Sequence, residues 1–162
     1  MSRRIALIAA AAAALSTATV VLASAAADTP APKGERILRL VSHQHKDHVI
    51  DHAPRGRLGS GDQVVVRTTL FDEHGARFGS THALCTFTRG GRNPSVVCTS
   101  VAVLRDGTLA VSGAFRLQDR GRIAAVTGGT GAYAGARGWL ESRTAPGGDP
   151  RVNQDVIHLL PE

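Results

Sequence analysis

The chain has 162 residues, 43% of them hydrophobic and only 4% aromatic, with a formal net charge of +6. Its 19 Lys and Arg residues are scattered rather than gathered in a run. That distribution excludes the basic stripe or aromatic stacking platform of a nucleic-acid binder, so no nucleic-acid partner is expected.

Arg3 and Arg4 open the chain, Ile5 to Ala23 is apolar and alanine-rich, and Ala25-Ala26-Ala27 precedes Asp28. A charged start, an apolar middle and a small-residue cleavage site make a secretory signal. We expect residues 1–27 to be that signal, with cleavage at Ala23-Ser24-Ala25 as the alternative. Ser2-Arg3-Arg4 leaves both general and twin-arginine export open. The stretch is too short and too closely followed by polar sequence for a membrane span. The expected mature protein is therefore secreted and extracellular, with no stable membrane insertion. Removing 27 of 162 residues leaves 135, with 17 Lys and Arg against 13 Asp and Glu. That length fits one domain with one core. Residues 28–35 hold two prolines and a glycine and read as a flexible leader, so the domain proper is 36–162.

From there strand signals follow one another at short spacing. Ile37 to Val41 is the first, and Gln63 to Phe71, rich in Val and Thr, is the second. Asp72-Glu73-His74-Gly75 turns the chain into a third strand, Arg77 to Thr88, and Pro94 to Leu104 is the fourth. Arg105-Asp106-Gly107 is a hairpin signal. Thr108 to Leu117 alternates apolar and small or polar residues as the fifth strand. Gln118-Asp119-Arg120-Gly121 leads into Arg122 to Val126, and the last two strands are Ala136 to Thr144 and Val152 to Leu160. No apolar period of 3.6 interrupts the series. Eight strands with turns between them predict an all-β sandwich or barrel. A closed barrel has no exposed edges and room for a small ligand.

Cys85 and Cys98 lie in the exported part, where thiols are oxidised. If the hairpin folds about Gly91 and Arg92, the two stand directly opposite each other. Opposed residues have Cβ atoms at about the separation a disulfide needs. We therefore expect a Cys85–Cys98 bridge, two buried thiols being the alternative.

Val126 to Gly138 holds five glycines at 128, 129, 131, 135 and 138. The run predicts a strand broken by a tight bend and then resumed. It is no dinucleotide fingerprint, because Ala134 stands where the last glycine should be and no helix follows. Gly128-Gly129-Thr130-Gly131, with Tyr133, Gly135 and Gly138, resembles the GGTG signature of allene oxide cyclase and dirigent barrels. Leu70-Phe71-Asp72, Arg77-Phe78-Gly79-Ser80 and Asp106-Gly107-Thr108-Leu109 extend the resemblance to roughly residues 38–160. It implies a secreted bacterial member of that superfamily and an eight-stranded antiparallel barrel with a narrow apolar interior. It implies a barrel that binds or orients a small apolar molecule as an isomerase, cyclase or coupling guide, without metal or organic cofactor. Homodimers or homotrimers are common among such barrels. The alternative is a non-catalytic secreted barrel for surface interaction or assembly.

Candidate chemistry lies in two places. Arg137 falls on the arginine of a triplet frequent in dirigent proteins, and Arg137, Glu141 and Arg143 share a strand face with Trp139. If that face lines the interior, Arg137 and Glu141 are catalytic candidates able to orient a carbonyl or phenol oxygen. If it faces out, they are surface charges. The other place is Ser42 to His52, which contains H-x-H-x-D-H. That spacing resembles a metallo-β-lactamase loop, but the larger αββα fold and the later ligands are missing, so no metal centre is expected. His43 and His45 are the residues nearest to one, sharing a strand face that could hold Zn²⁺ or Cu²⁺ weakly. The alternative is a solvated, histidine-rich edge.

Overall fold

A computed structural model describes residues 34–45, 47–52 and 56–161. The expected signal, residues 1–27, lies outside the described residues. Nine strands follow in chain order: β1 (Arg36–Gln44), β2 (His48–Ile50), β3 (Gln63–Phe71), β4 (Arg77–Arg89), β5 (Ser95–Leu104), β6 (Gly107–Arg116), β7 (Gly121–Gly131), β8 (Gly138–Thr144) and β9 (Val152–Leu159). The described residues contain no helix.

Every neighbouring pair is antiparallel, from β3 through to β9 and on to β1, and β1 returns to pair with β3. The result is a closed eight-stranded barrel. Strand β2 is not a ninth stave. It lies along β3 in line with β1, with His43 opposite Thr69 and His48 opposite Val65. The two pieces are one stave that stops at Gln44 and resumes at His48. Closure pairs each of the eight staves on both sides, and only the short β2 is paired on one side alone.

The break expected in the glycine run is present but falls later than the strand end read at Val126. Strand β7 continues into the run to Gly131, pairing Gly128 with Ala110, Gly129 with Leu109 and Thr130 with Thr108. The irregularity is a bulge, because Val126 faces Val111 and Thr127 is the extra residue. The bend comes later, at residues 132–135, where Tyr133 N–H donates to Thr130 C=O and Ala134 N–H to Gly131 C=O. Gly129 is required by close approach. A Cβ there would meet the Tyr133 carbonyl oxygen as that loop folds back, whereas one at Gly128 would meet nothing within 4 Å.

The loop delivers Tyr133, only 2% exposed, into the barrel's core. It packs there with Leu40, Leu70, Leu104, Leu109 and Leu159. These residues fill one half of the interior. Leu109 is wholly buried, a placement worth about 1.5–3 kcal/mol over leaving it in water. A second cluster, Cys85, Phe87, Val96 and Cys98 with Val64 and Phe115 packed against it, lines the other half. Cys85 and Cys98 are directly opposed on β4 and β5 and joined by a disulfide, Cα atoms 4.0 Å apart.

Candidate functional site

The second half of the barrel is not filled. A cavity of about 390 Å³ occupies it, within the range of small-molecule sites. Exposed Val49, Leu58 and Leu117 also line it and mark its mouth. A loop holds Leu58 there. The Asp62 carboxylate accepts the Gly59 and His52 N–H groups at 2.7 and 2.8 Å, and these bonds hold its pKa below the ordinary carboxylate value. Gly61 N–H and Asp62 C=O then tie the loop to Phe87 of β4.

The cavity has two unlike walls. The β3–β6 side is mainly apolar, presenting Val64, Val66, Ala83, the Cys85–Cys98 bridge, Phe87 and Phe115 with the hydroxyls of Thr68, Thr81 and Ser100 among them. The β7–β8–β9–β1 side presents Arg122, Ser142, Asp155, Asn153, Ser42 and Gln44. Cross-strand register builds this polar wall. Arg122 faces Ser142, Ser142 faces Asp155, and Asn153 faces Ser42. Strand β9 shows why, since Asn153, Asp155, Ile157 and Leu159 alternate inward. Its apolar half plugs the barrel and its polar half lines the cavity.

Asp155 is 9% exposed. Burial raises its pKa, because desolvation disfavours the charged form. The Ser142 and Ser42 hydroxyls and the Arg122 charge oppose that shift. The Arg122 guanidinium lies 5.1 Å from the centroid of the Phe115 ring. Four buried side-chain polar atoms among the described residues have no hydrogen-bond partner: Thr68 Oγ1, Arg122 Nε, Asp155 Oδ1 and Tyr133 Oη. The first three belong to residues lining the cavity. Buried polar groups are ordinarily paired, and three of these four unpaired ones surround a single cavity.

The residues singled out from sequence lie elsewhere. Leu140 and Ser142 face the cavity, which turns Trp139, Glu141 and Arg143 outward. Outside, the Trp139 indole stacks on His158 at 4.4 Å and donates to Glu141 Oε1 at 3.3 Å, and His158 Nδ1 is bonded to Glu35. Arg137 donates to the Pro161 carbonyl. His43 and His45 are exposed on the outer surface. His43 stands edge-on to Phe71, and His45 Nε2 is 2.9 Å from Thr69 Oγ1. No group of three or more His, Cys, Asp or Glu among the described residues is arranged to hold a metal. Gly128, Gly129, Thr130 and Gly131 form the end of β7, Gly135 lies in the turn and Gly138 opens β8. Sequence reasoning missed Arg122, Ser142 and Asp155. The available signal was the phase of β9, where Asp155 falls two residues before buried Ile157.

No protein-family model and no curated protein matches the sequence. Solved structures match well. A pyocyanin demethylase superposes with a TM-score of 0.67 at 22% identity, covering 77% of this chain and all of that one. AbnU, an exo-specific intermolecular Diels–Alderase, gives 0.60 at 17% identity over 77% of this chain and 96% of its own. A pterocarpan synthase dirigent protein gives 0.61 at 16% identity over 80% and 97%. The chain therefore has the closed barrel fold that dirigent proteins and Diels–Alderases share, as the glycine signature implied.

Proposed function

We propose that this protein is an exported barrel that takes a small, largely apolar molecule into its interior and holds it in one orientation, as a dirigent-like guide or a cyclase or isomerase. The observation that carries this reading is the half-filled interior, with an apolar wall opposite Arg122, Ser142 and Asp155. The apolar wall supplies affinity and the polar wall supplies orientation. Holding a reactive molecule in one geometry can lower a barrier by several kcal/mol, up to about 7–11 in the best cases. The names of structures with this fold, dirigent protein and Diels–Alderase, agree with such chemistry.

Thermal-shift titration with 2-naphthol and with a fatty-acid epoxide tests the reading. A rise in melting temperature with either, abolished by Ala83→Trp in the cavity wall, supports it. No shift with any such compound contradicts it. Export is tested separately, by a mature N-terminus at Asp28 in the culture medium.

One observation favours a second reading, a barrel that works through its outer surface. Val65, Leu84, Val97, Val101 and Val103 on β3–β5 are each 38–46% exposed, and Val65 and Leu84 are cross-strand neighbours. Such a face suits association into a homodimer or homotrimer. Light scattering that finds only monomer at high concentration would remove it.

A further inference from the structure

The polar wall of the cavity carries an imbalance of charge. Arg122 brings a guanidinium whose Nε is buried without a partner, and among the described residues it makes no ion pair. Arg122 is half-buried, and a buried N–H without an acceptor is costly. Asp155 feels the Arg122 charge but forms no ion pair with it, and its burial disfavours the carboxylate. Its Oδ1 is also unpartnered. The wall thus presents an unpaired cation, the Ser142 hydroxyl and a carboxyl whose burial resists ionisation, while the other carboxylate on the cavity, Asp47, is exposed and accepts from Gln44 Nε2. Aromatic Phe87 and Phe115 line the same space.

We propose that the ligand of this cavity is an apolar molecule bearing an acidic oxygen (a carboxylate, phenolate or enolate) that pairs with Arg122 beside Asp155. The inference rests on the cavity being the ligand site and adds the charge of what enters it. An anionic oxygen would take the unused Nε–H in a charge-assisted bond, roughly twice as strong as a neutral one. The Asp155 carboxyl and Ser142 hydroxyl would complete its shell. The apolar body would lie against the opposite wall, and about 390 Å³ accommodates a bicyclic molecule.

Calorimetric titration of the mature protein with 2-naphthoate and with its neutral analogue 2-naphthamide tests this. Wild type should bind the anion about tenfold tighter or more, since a charge-assisted bond is worth at least one factor of ten. Arg122→Met should bring the two affinities together, and Arg122→Lys should keep most of the preference. Melting curves establish that both variants are folded. Equal affinity for the two compounds in wild type would overturn the charge inference while leaving the cavity reading standing. So would a preference that survives in folded Arg122→Met. Binding of neither compound would overturn both.

Discussion

Asp155 and Ser142 stand directly opposite each other on β9 and β8, and both line the barrel's cavity. The pair puts an acid and a hydroxyl across the cavity from a side that is mainly Val, Phe and a disulfide. Their position has a consequence for stability as well as for binding.

Burial raises the pKa of Asp155 in the folded state above the ordinary value of 3.8. Below that ordinary value both states are protonated and the fold bears no penalty. As pH rises through the raised value, the folded protein must ionise a buried group, and stability is lost. Asp155→Asn should flatten this dependence and stabilise the protein at neutral pH by on the order of 1–2 kcal/mol. Chemical denaturation across the acidic to mildly basic range checks it. Parallel curves for the two proteins would count against a raised pKa at Asp155.

The Cys85–Cys98 bridge closes a loop of twelve residues, Thr86 to Val97. A loop of that size contributes about 3 kcal/mol through the unfolded state. Replacing both cysteines with serine should lower the melting temperature by on the order of 10 °C in a domain of this length. A double variant that melts like wild type would contradict the expectation, as would two free thiols titrated in the native protein.

Two adjacent glycines should behave differently. Gly128→Ala has space for its methyl group and should change stability little, within about 0.5 kcal/mol. At Gly129 the methyl group would run into the Tyr133 and Thr108 carbonyl oxygens. Gly129→Ala should therefore destabilise by about 2–4 kcal/mol, by displacing the loop that carries Tyr133 into the core. Urea midpoints of the two variants decide the matter.

The outward residues give a control. Arg137→Ala and Glu141→Gln remove groups on the far side of the sheet from the cavity. Both variants should bind cavity ligands within about twofold of wild type, since exposed charge pairs are worth under about 1 kcal/mol. A tenfold loss in either would place the binding site on the outer face.

Much of the barrel was legible in the sequence. Turn residues at Asp72 to Gly75 and at Arg105 to Gly107 set the hairpins, and the opposition of Cys85 and Cys98 followed from counting about the turn. The site was less legible, because which face of a strand points inward is a property of the closed barrel. Both orientations of the β8 face with Trp139 were open from sequence, the outward one being the commoner for a face that carries charges. What covers Trp139 is His158, nineteen residues on, and Glu35, which bonds His158 from 123 residues away in sequence. The bulge at Thr127 exchanges the faces of β7, so Val126 and Gly129 both point inward although their spacing is odd. Alternation read straight through the glycine run misassigns one side of it.

The central claim is that the barrel interior is a ligand site, and amide chemical-shift mapping with 2-naphthol tests it most directly. Shifts should gather on Val64, Phe87, Phe115, Ser142 and Asp155, spare Val101 and Val103 on the outer face, and vanish in Ala83→Trp. Shifts confined to the outer face, or unchanged in Ala83→Trp, would contradict the account.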